Sequence, residues 1–259
     1  MSDRDSYLAL RSDFKSFLKR FRDIKGGFPP QIKIKIAHTY RVVREITHLF
    51  RESGCKWVSV HTAQSAALLH DIGRFPQFSS FGTYDDRVTL NHAALSVVII
   101  DQLGMLSSYN ERDQKLIRLA VRLHSTGNLT TELPADEAEL THLLRDADKL
   151  DIWKFIIDRD KSSPVDDRFT ESNFQLIRNF KRIPYSEAKT VADIRLFRIG
   201  WLFDVHFEET VNFSHVITCV KCLRSCPAPR NSSNSAMILN ASFESESIRG
   251  LRQAVGPTG

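Results

Sequence analysis

The chain has 259 residues, 42% of them apolar and 26% charged, as expected for a soluble globular protein with one sizeable core or a core plus a tail. No apolar run approaches the roughly 20 residues needed to cross a bilayer, and the polar start M-S-D-R-D-S does not read as a signal peptide. Cys55, Cys219, Cys222 and Cys226 are irregularly spaced, which argues against a disulfide framework and for a reducing, cytoplasmic setting.

The net charge of +5 is not evenly spread. Residues 1–50 hold eleven Lys/Arg against five Asp/Glu. One reading is the solvated face of amphipathic helices; the other is a surface that attracts phosphorylated or polyanionic partners. No nucleic-acid motif or aromatic interleaving supports RNA or DNA as the partner.

Nearly everything before residue 220 reads as helix, so the fold class is all-α. Residues 6–24 carry Tyr7, Leu10, Phe14, Phe17, Leu18 and Phe21 at helical spacing, and Gly26-Gly27 with Pro29-Pro30 end that run. A second helix spans about 30–50, with an inner stripe of Ile34, His38, Val42, Ile46 and Leu49. A third, about 58–71, is alanine-rich and closes on L-L-H70-D71-I-G-R. Burying a histidine and a carboxylate is costly unless they are paired, hydrogen-bonded or bound to metal. Gly73 and Pro76 read as a stop, and residues 76–89 as one long loop rimming the site.

A fourth helix, from residue 89 or 91 to 103, carries His92 in its first turn, and a fifth, 111–124, leads to His124. Singly, each of these histidines reads as an ordinary helix-end or core residue. The sixth helix starts at an apparent capping box, Asp136 with Glu139, and contains R-D-A-D-K-L-D. At 3.6 residues per turn Asp148 shares a face with Leu144, Ile152 and Phe155, whereas Asp146 lies about 200° round and reads as a surface or supporting group. Asp151 lies roughly 60° from Asp148. Residues 171–220 give two or three more amphipathic helices without a chemical signature. Residues 221–259, rich in serine, read as a loosely ordered tail. The three cysteines from Cys219 lack a fourth zinc ligand.

His38, His70-Asp71, His92, His124 and Asp148 each come from the inner face or end of a different helix, apart from the adjacent pair. Helices packed round a core project such residues into a common ion site. The set H38-T-Y-R-V, L-L-H70-D71-I-G-R, N-H92-A, L-H124-S and D-A-D148-K-L-D resembles the HD-domain metal-dependent phosphohydrolases over residues 30–160. The resemblance implies an HD-domain-like helical bundle. It implies a first metal on His38, His70, Asp71 and Asp148, and a second that adds His92 and His124 with Asp71 bridging. The implied organisation is an N-terminal helix over residues 1–29, a metal-binding core over 30–160, completing helices over 161–220 and the tail. No G-Y-P triplet follows the His-Asp pair, as it does in the cyclic-dinucleotide branch, so the chemistry is implied and the substrate is left open.

Imidazole and carboxylate ligands suit manganese, iron, zinc, nickel or cobalt, with magnesium as a further candidate, one or two ions per chain. Such an ion lowers the pKa of bound water and neutralises phosphate charge. Asp71 would hold the metal and orient the nucleophile. Arg74 would grip a phosphate oxygen with its planar fork. Lys149 is a weaker phosphate contact, and Tyr84, Asp85, Asp86 and Arg87 of the long loop read as substrate-facing residues or, alternatively, as a simple turn. The expected activity is hydrolysis of a phosphate ester on a small molecule such as a nucleotide. The alternative is a metal- and nucleotide-binding sensor or scaffold without turnover. No membrane partner is expected, and the oligomeric state is open.

Overall fold

The computed structural model describes residues 2–127, 129, 132–160, 169–179 and 181–212. The expected tail and Cys219, Cys222 and Cys226 lie outside these residues. The described residues contain helices and no strand, and no helix among them is long and apolar enough to cross a membrane. The chain divides after Asp151 into two compact units.

In the first unit, helix α1 (Asp3–Leu18) starts at a reciprocal capping box between Ser2 and Asp5 and buries Tyr7, Leu10, Phe14, Phe17 and Leu18. Helix α2 (Pro30–Glu52) opens with proline, whose missing N–H costs nothing in a first turn. It buries His38, Val42, Ile46 and Leu49. Ile34, expected on that inner stripe, is instead 46% exposed; its neighbour Lys35 takes the inward position.

Helix α3 (Val60–Leu69), capped by Ser59, packs against α1, α2 and a later helix, α6. Its Ala63, Ala66 and Ala67 are completely buried, as are Leu68 and Leu69. The small side chains allow close approach, and each buried leucine contributes about 1.5–3 kcal/mol. The helix end is thereby held firmly where the next two residues, His70 and Asp71, are polar.

The stop expected at Gly73 and Pro76 is only a bend. Helix α4 (Arg74–Phe81) follows at once, with Pro76 inside its first turn, where no helical N–H is needed. The segment read as one long loop is therefore half helix, ended by left-handed Gly82 (φ 68°). Gly73 itself has ordinary φ. It is needed because α5 (His92–Gln102) approaches so closely that a Cβ would stand 2.5 Å from the His92 carbonyl and 2.8 Å from the Ser96 amide nitrogen. Ser96 fastens the crossing: its Oγ accepts from the Gly73 amide (2.9 Å) and donates to the His70 carbonyl (2.9 Å).

Helix α6 (Glu111–Leu123) begins at Asn110 and packs on α3 and α5. Helix α7 (Ala135–Asp160) carries the aspartates. The capping box read at Asp136 and Glu139 is not formed: Asp136 is already inside the helix. The Glu139 carboxylate instead accepts from the amides of Lys56, Trp57 and Val58. Asp146, read as a surface or supporting group, is fully buried, which removes the first of these.

The second unit contains α8 (Glu171–Arg178) and α9 (Val191–Ile199). Phe174, Ile177, Ile183, Leu196 and Ile199 form its core.

Candidate metal centre

All six of the sequence-derived ligands meet in one place. His38 comes from α2, His70 and Asp71 from the end of α3, His92 from the start of α5, His124 from the end of α6 and Asp148 from α7. The four histidines and Asp71 are each no more than 5% exposed.

The two oxygens of Asp71 face different partners. Oδ2 lies 3.5 Å from His38 Nε2 and 3.4 Å from His70 Nε2. Oδ1 lies 3.5 Å from His92 Nε2 and 3.9 Å from His124 Nε2. Asp148 Oδ1 joins the first group, 3.2 Å from His38 Nε2 and 3.8 Å from His70 Nε2. Three sets could each hold an ion: His38, His70 and Asp71; Asp71, His92 and His124; and His70, His124 and Asp148. Asp71 belongs to the first two sets and His70 to the first and third, so the ligands form one continuous centre.

Each imidazole is fixed from behind through Nδ1. His38 faces Asp151 Oδ2 (2.7 Å), His70 the Ala67 carbonyl (2.8 Å), His124 the Val121 carbonyl (2.7 Å), and His92 the Asp86 carboxylate (2.5 Å). Donation from Nδ1 aims the Nε2 lone pair inward and raises its basicity. The Nε2 atoms of His92 and His124 then stand 3.1 Å apart, and those of His38 and His70 3.3 Å apart. Two lone pairs this close repel unless a proton or a cation sits against them. Asp148 Oδ1 is buried without a hydrogen bond, another acceptor in want of a positive partner. The donor set of imidazoles and carboxylates fits divalent cations, which would displace any proton held between these nitrogens.

The electrostatics follow from these contacts. Burial, helped by neighbouring His92 and His70, pushes the pKa of His124 down to about 3, which keeps it neutral. Burial and Lys35 press His38 the same way, but the carboxylates of Asp148, Asp151 and Asp71 outweigh them and raise it to about 10. Asp71 is held well below the usual carboxylate range: burial opposes this, but Lys35 and the histidines prevail. Asp86 is lowered to about 2, its burial being outweighed by His92, Gln77 and Arg74.

Several supporting residues have positions that the sequence reading did not give them. Lys35 reaches Asp71 Oδ2 (2.5 Å) from one turn before His38 and lies 5.7 Å from the Tyr84 ring centroid. Asp151 backs His38 and is itself gripped by Arg41 Nε (2.6 Å) and Nη2 (3.0 Å). Arg145, 1% exposed, donates to the carbonyls of Leu123, His124, Thr126 and Gly127, which fixes the turn carrying His124. The i,i+3 spacing of Lys35 and His38, and of Asp148 and Asp151, was the available signal for two of these.

The expected substrate contacts fare differently. Arg74 is occupied as a strut: its Nη1 donates to Asp86 (2.7 Å), Gln77 (2.9 Å) and the Tyr84 carbonyl, while Nε lies 3.5 Å from Asp71 Oδ1. Asp86, placed by sequence among residues facing the substrate, is the support for His92. Arg87 pairs with Asp85 at the surface. Lys149 is 7% exposed and lies 3.8 Å from Asp146. Tyr84 remains beside the centre, its hydroxyl donating to the Gln31 carbonyl (3.0 Å).

The HD domain family matches residues 36–153, the stretch that supplies all six candidate ligands. Residues 36–153 are an HD domain. HD domains form a superfamily of metal-dependent phosphohydrolases with a helical fold, and the buried His/Asp groups of this one are placed to bind metal. No curated protein and no solved structure matches the chain.

Proposed function

We propose that the chain is a metal-dependent phosphohydrolase that cleaves a phosphate ester on a small molecule, such as a nucleotide or related metabolite. The observation that carries this reading is the Asp71 carboxylate, with one oxygen turned to His38, His70 and Asp148 and the other to His92 and His124. With that arrangement Asp71 would help to hold one cation together with His38, His70 and Asp148 and a second together with His92 and His124. Bound there, divalent cations would acidify water and neutralise phosphate charge.

The chain's own groups do the rest. The four histidines and two aspartates hold fixed positions, so little reorganisation is needed when phosphate arrives. Arg74 steadies Asp71 from the Oδ1 side and, through Asp86, the orientation of His92. Lys35 is the group suited to an anionic substrate. Its side chain is 19% exposed, and with a cation held on Asp71 the ammonium would be free to meet a phosphate oxygen at the rim. The Tyr84 ring supports it.

Substrate size follows from access. The histidines and Asp71 are buried, whereas the side chains of Lys35 and Asp148 are each 19% exposed, Arg74 15% and Asp86 32%. Access along this partly exposed rim favours a terminal phosphate on a small molecule over an extended polymer strand.

The test combines metal analysis with phosphate release from a panel of nucleotides and phosphoesters. In Asp71→Ala both metal and turnover are lost while the helical circular dichroism is kept. Undiminished turnover in that variant rejects the reading. Metal bound by the native protein with no turnover across the panel replaces it with a metal- and nucleotide-binding regulator.

A further inference from the structure

The metal centre does not account for the basic N-terminal region. Helix α2 carries Arg41, Arg44, His48 and Arg51 at spacings of three and four residues, which places them on one face over about 15 Å of helix. This face borders a cleft of about 710 Å³, lined also by Arg11 and Tyr7 of α1 and by Tyr40, Thr47 and Gln64. No aspartate or glutamate is among the lining residues. The volume falls within the roughly 300–1,000 Å³ of small-molecule sites.

We propose that this cleft is a second binding site, for a small molecule bearing two or more phosphate groups. Four guanidinium groups gathered round one concavity repel one another, and Arg44 and Arg51 have no ion pair with any described residue. Guanidinium is the side chain best matched to phosphate, because its planar fork donates two parallel hydrogen bonds.

The walls are prearranged. Arg11 lies over the Tyr7 ring at 5.7 Å, and Tyr7 stacks on His61 at 5.8 Å. His61 contacts Gln64 (3.0 Å), whose amide donates to Thr47 Oγ1 (3.0 Å). The floor is therefore a connected polar surface with little rotamer freedom left to lose. A concave site of this volume favours a compact polyanion over a nucleic-acid strand, which would track a longer basic groove. Arg41 belongs to both places, since it also grips Asp151 behind His38.

The experiment measures tripolyphosphate binding to the metal-free full chain by calorimetry at low salt, so that no bound cation recruits the anion to the metal centre. Arg41 is left intact because it supports a ligand. The variants are Arg44→Gln with Arg51→Gln, both on exposed side chains, and separately Lys35→Gln beside the metal centre. The proposal expects binding that weakens roughly tenfold or more in the double variant, an unchanged melting temperature there, and native affinity in Lys35→Gln. It is overturned if tripolyphosphate does not bind the native chain, if Lys35→Gln abolishes binding while the double variant keeps it, or if only a single-stranded oligonucleotide binds through Arg44 and Arg51.

Discussion

The carboxylate of Asp151 lies 2.7 Å from Nδ1 of His38, and the opposite nitrogen of that ring, Nε2, faces Asp71 and Asp148. The second aspartate in D148-K-L-D thus serves a different atom of the same imidazole from the first. It holds His38 in the tautomer that keeps Nε2 available as a ligand, and Arg41 holds Asp151 in turn.

Asp151→Ala should therefore weaken metal binding without removing any ligand. Loss of such a supporting carboxylate typically costs 10–100-fold in affinity. Competition with a coloured chelator measures it. Asp85→Ala is the control, because Asp85 pairs with Arg87 at the surface and supports no histidine.

Lys35→Met should separate two effects. The ammonium occupies the Asp71 oxygen that a cation needs, so its removal strengthens metal binding in the same competition assay. Substrate loses its cationic partner, so KM rises. A drop in metal affinity would show that Lys35 supports the centre instead of competing for it.

These two residues show what could and could not be read from the sequence. His38, His70, Asp71, His92, His124 and Asp148 were legible because each breaks an apolar pattern at an inner face or helix end, and the ordered set resembles HD domains. Their supports were harder to see. Lys35 is adjacent to Ile34, and hydropathy put the isoleucine inward; the charged centre reverses that choice. Asp86 and Arg74 looked like substrate groups because polar loop residues beside a site usually are. In the structure they satisfy one another and His92, because buried polar atoms must find partners. Arg145 gave no signal, since its role depends on four carbonyls about twenty residues earlier in the chain. Helix α4 was missed because Pro76 was read as a stop, when in a first turn proline continues a helix.

Gly73→Ala should destabilise the fold and disturb the site together. The new methyl would meet backbone atoms of His92 and Ser96 at 2.5 and 2.8 Å, so α5 must move. Overpacking of this kind costs about 1–3 kcal/mol, and each kcal/mol lowers Tm by roughly 2–4 °C in a chain of this size. Differential scanning fluorimetry reads the first effect. Lower metal content in the surviving folded protein reads the second, because His92 starts α5.

Chelation should lower stability without unfolding the helices. A ligand present at 100 times its Kd contributes about 2.7 kcal/mol to the folded state. Stripping metal with EDTA should reduce Tm by several degrees and re-addition should restore it. In Asp71→Ala, EDTA should leave Tm unchanged.

The central claim is that Asp71 stands between two cation positions. Crystals grown with manganese, measured by anomalous scattering near the manganese edge, test it directly. The account predicts two anomalous peaks, one among His38, His70, Asp148 and Asp71, the other among His92, His124 and Asp71. The account is contradicted if no peak lies within bonding distance of Asp71 while manganese scatters elsewhere on the chain.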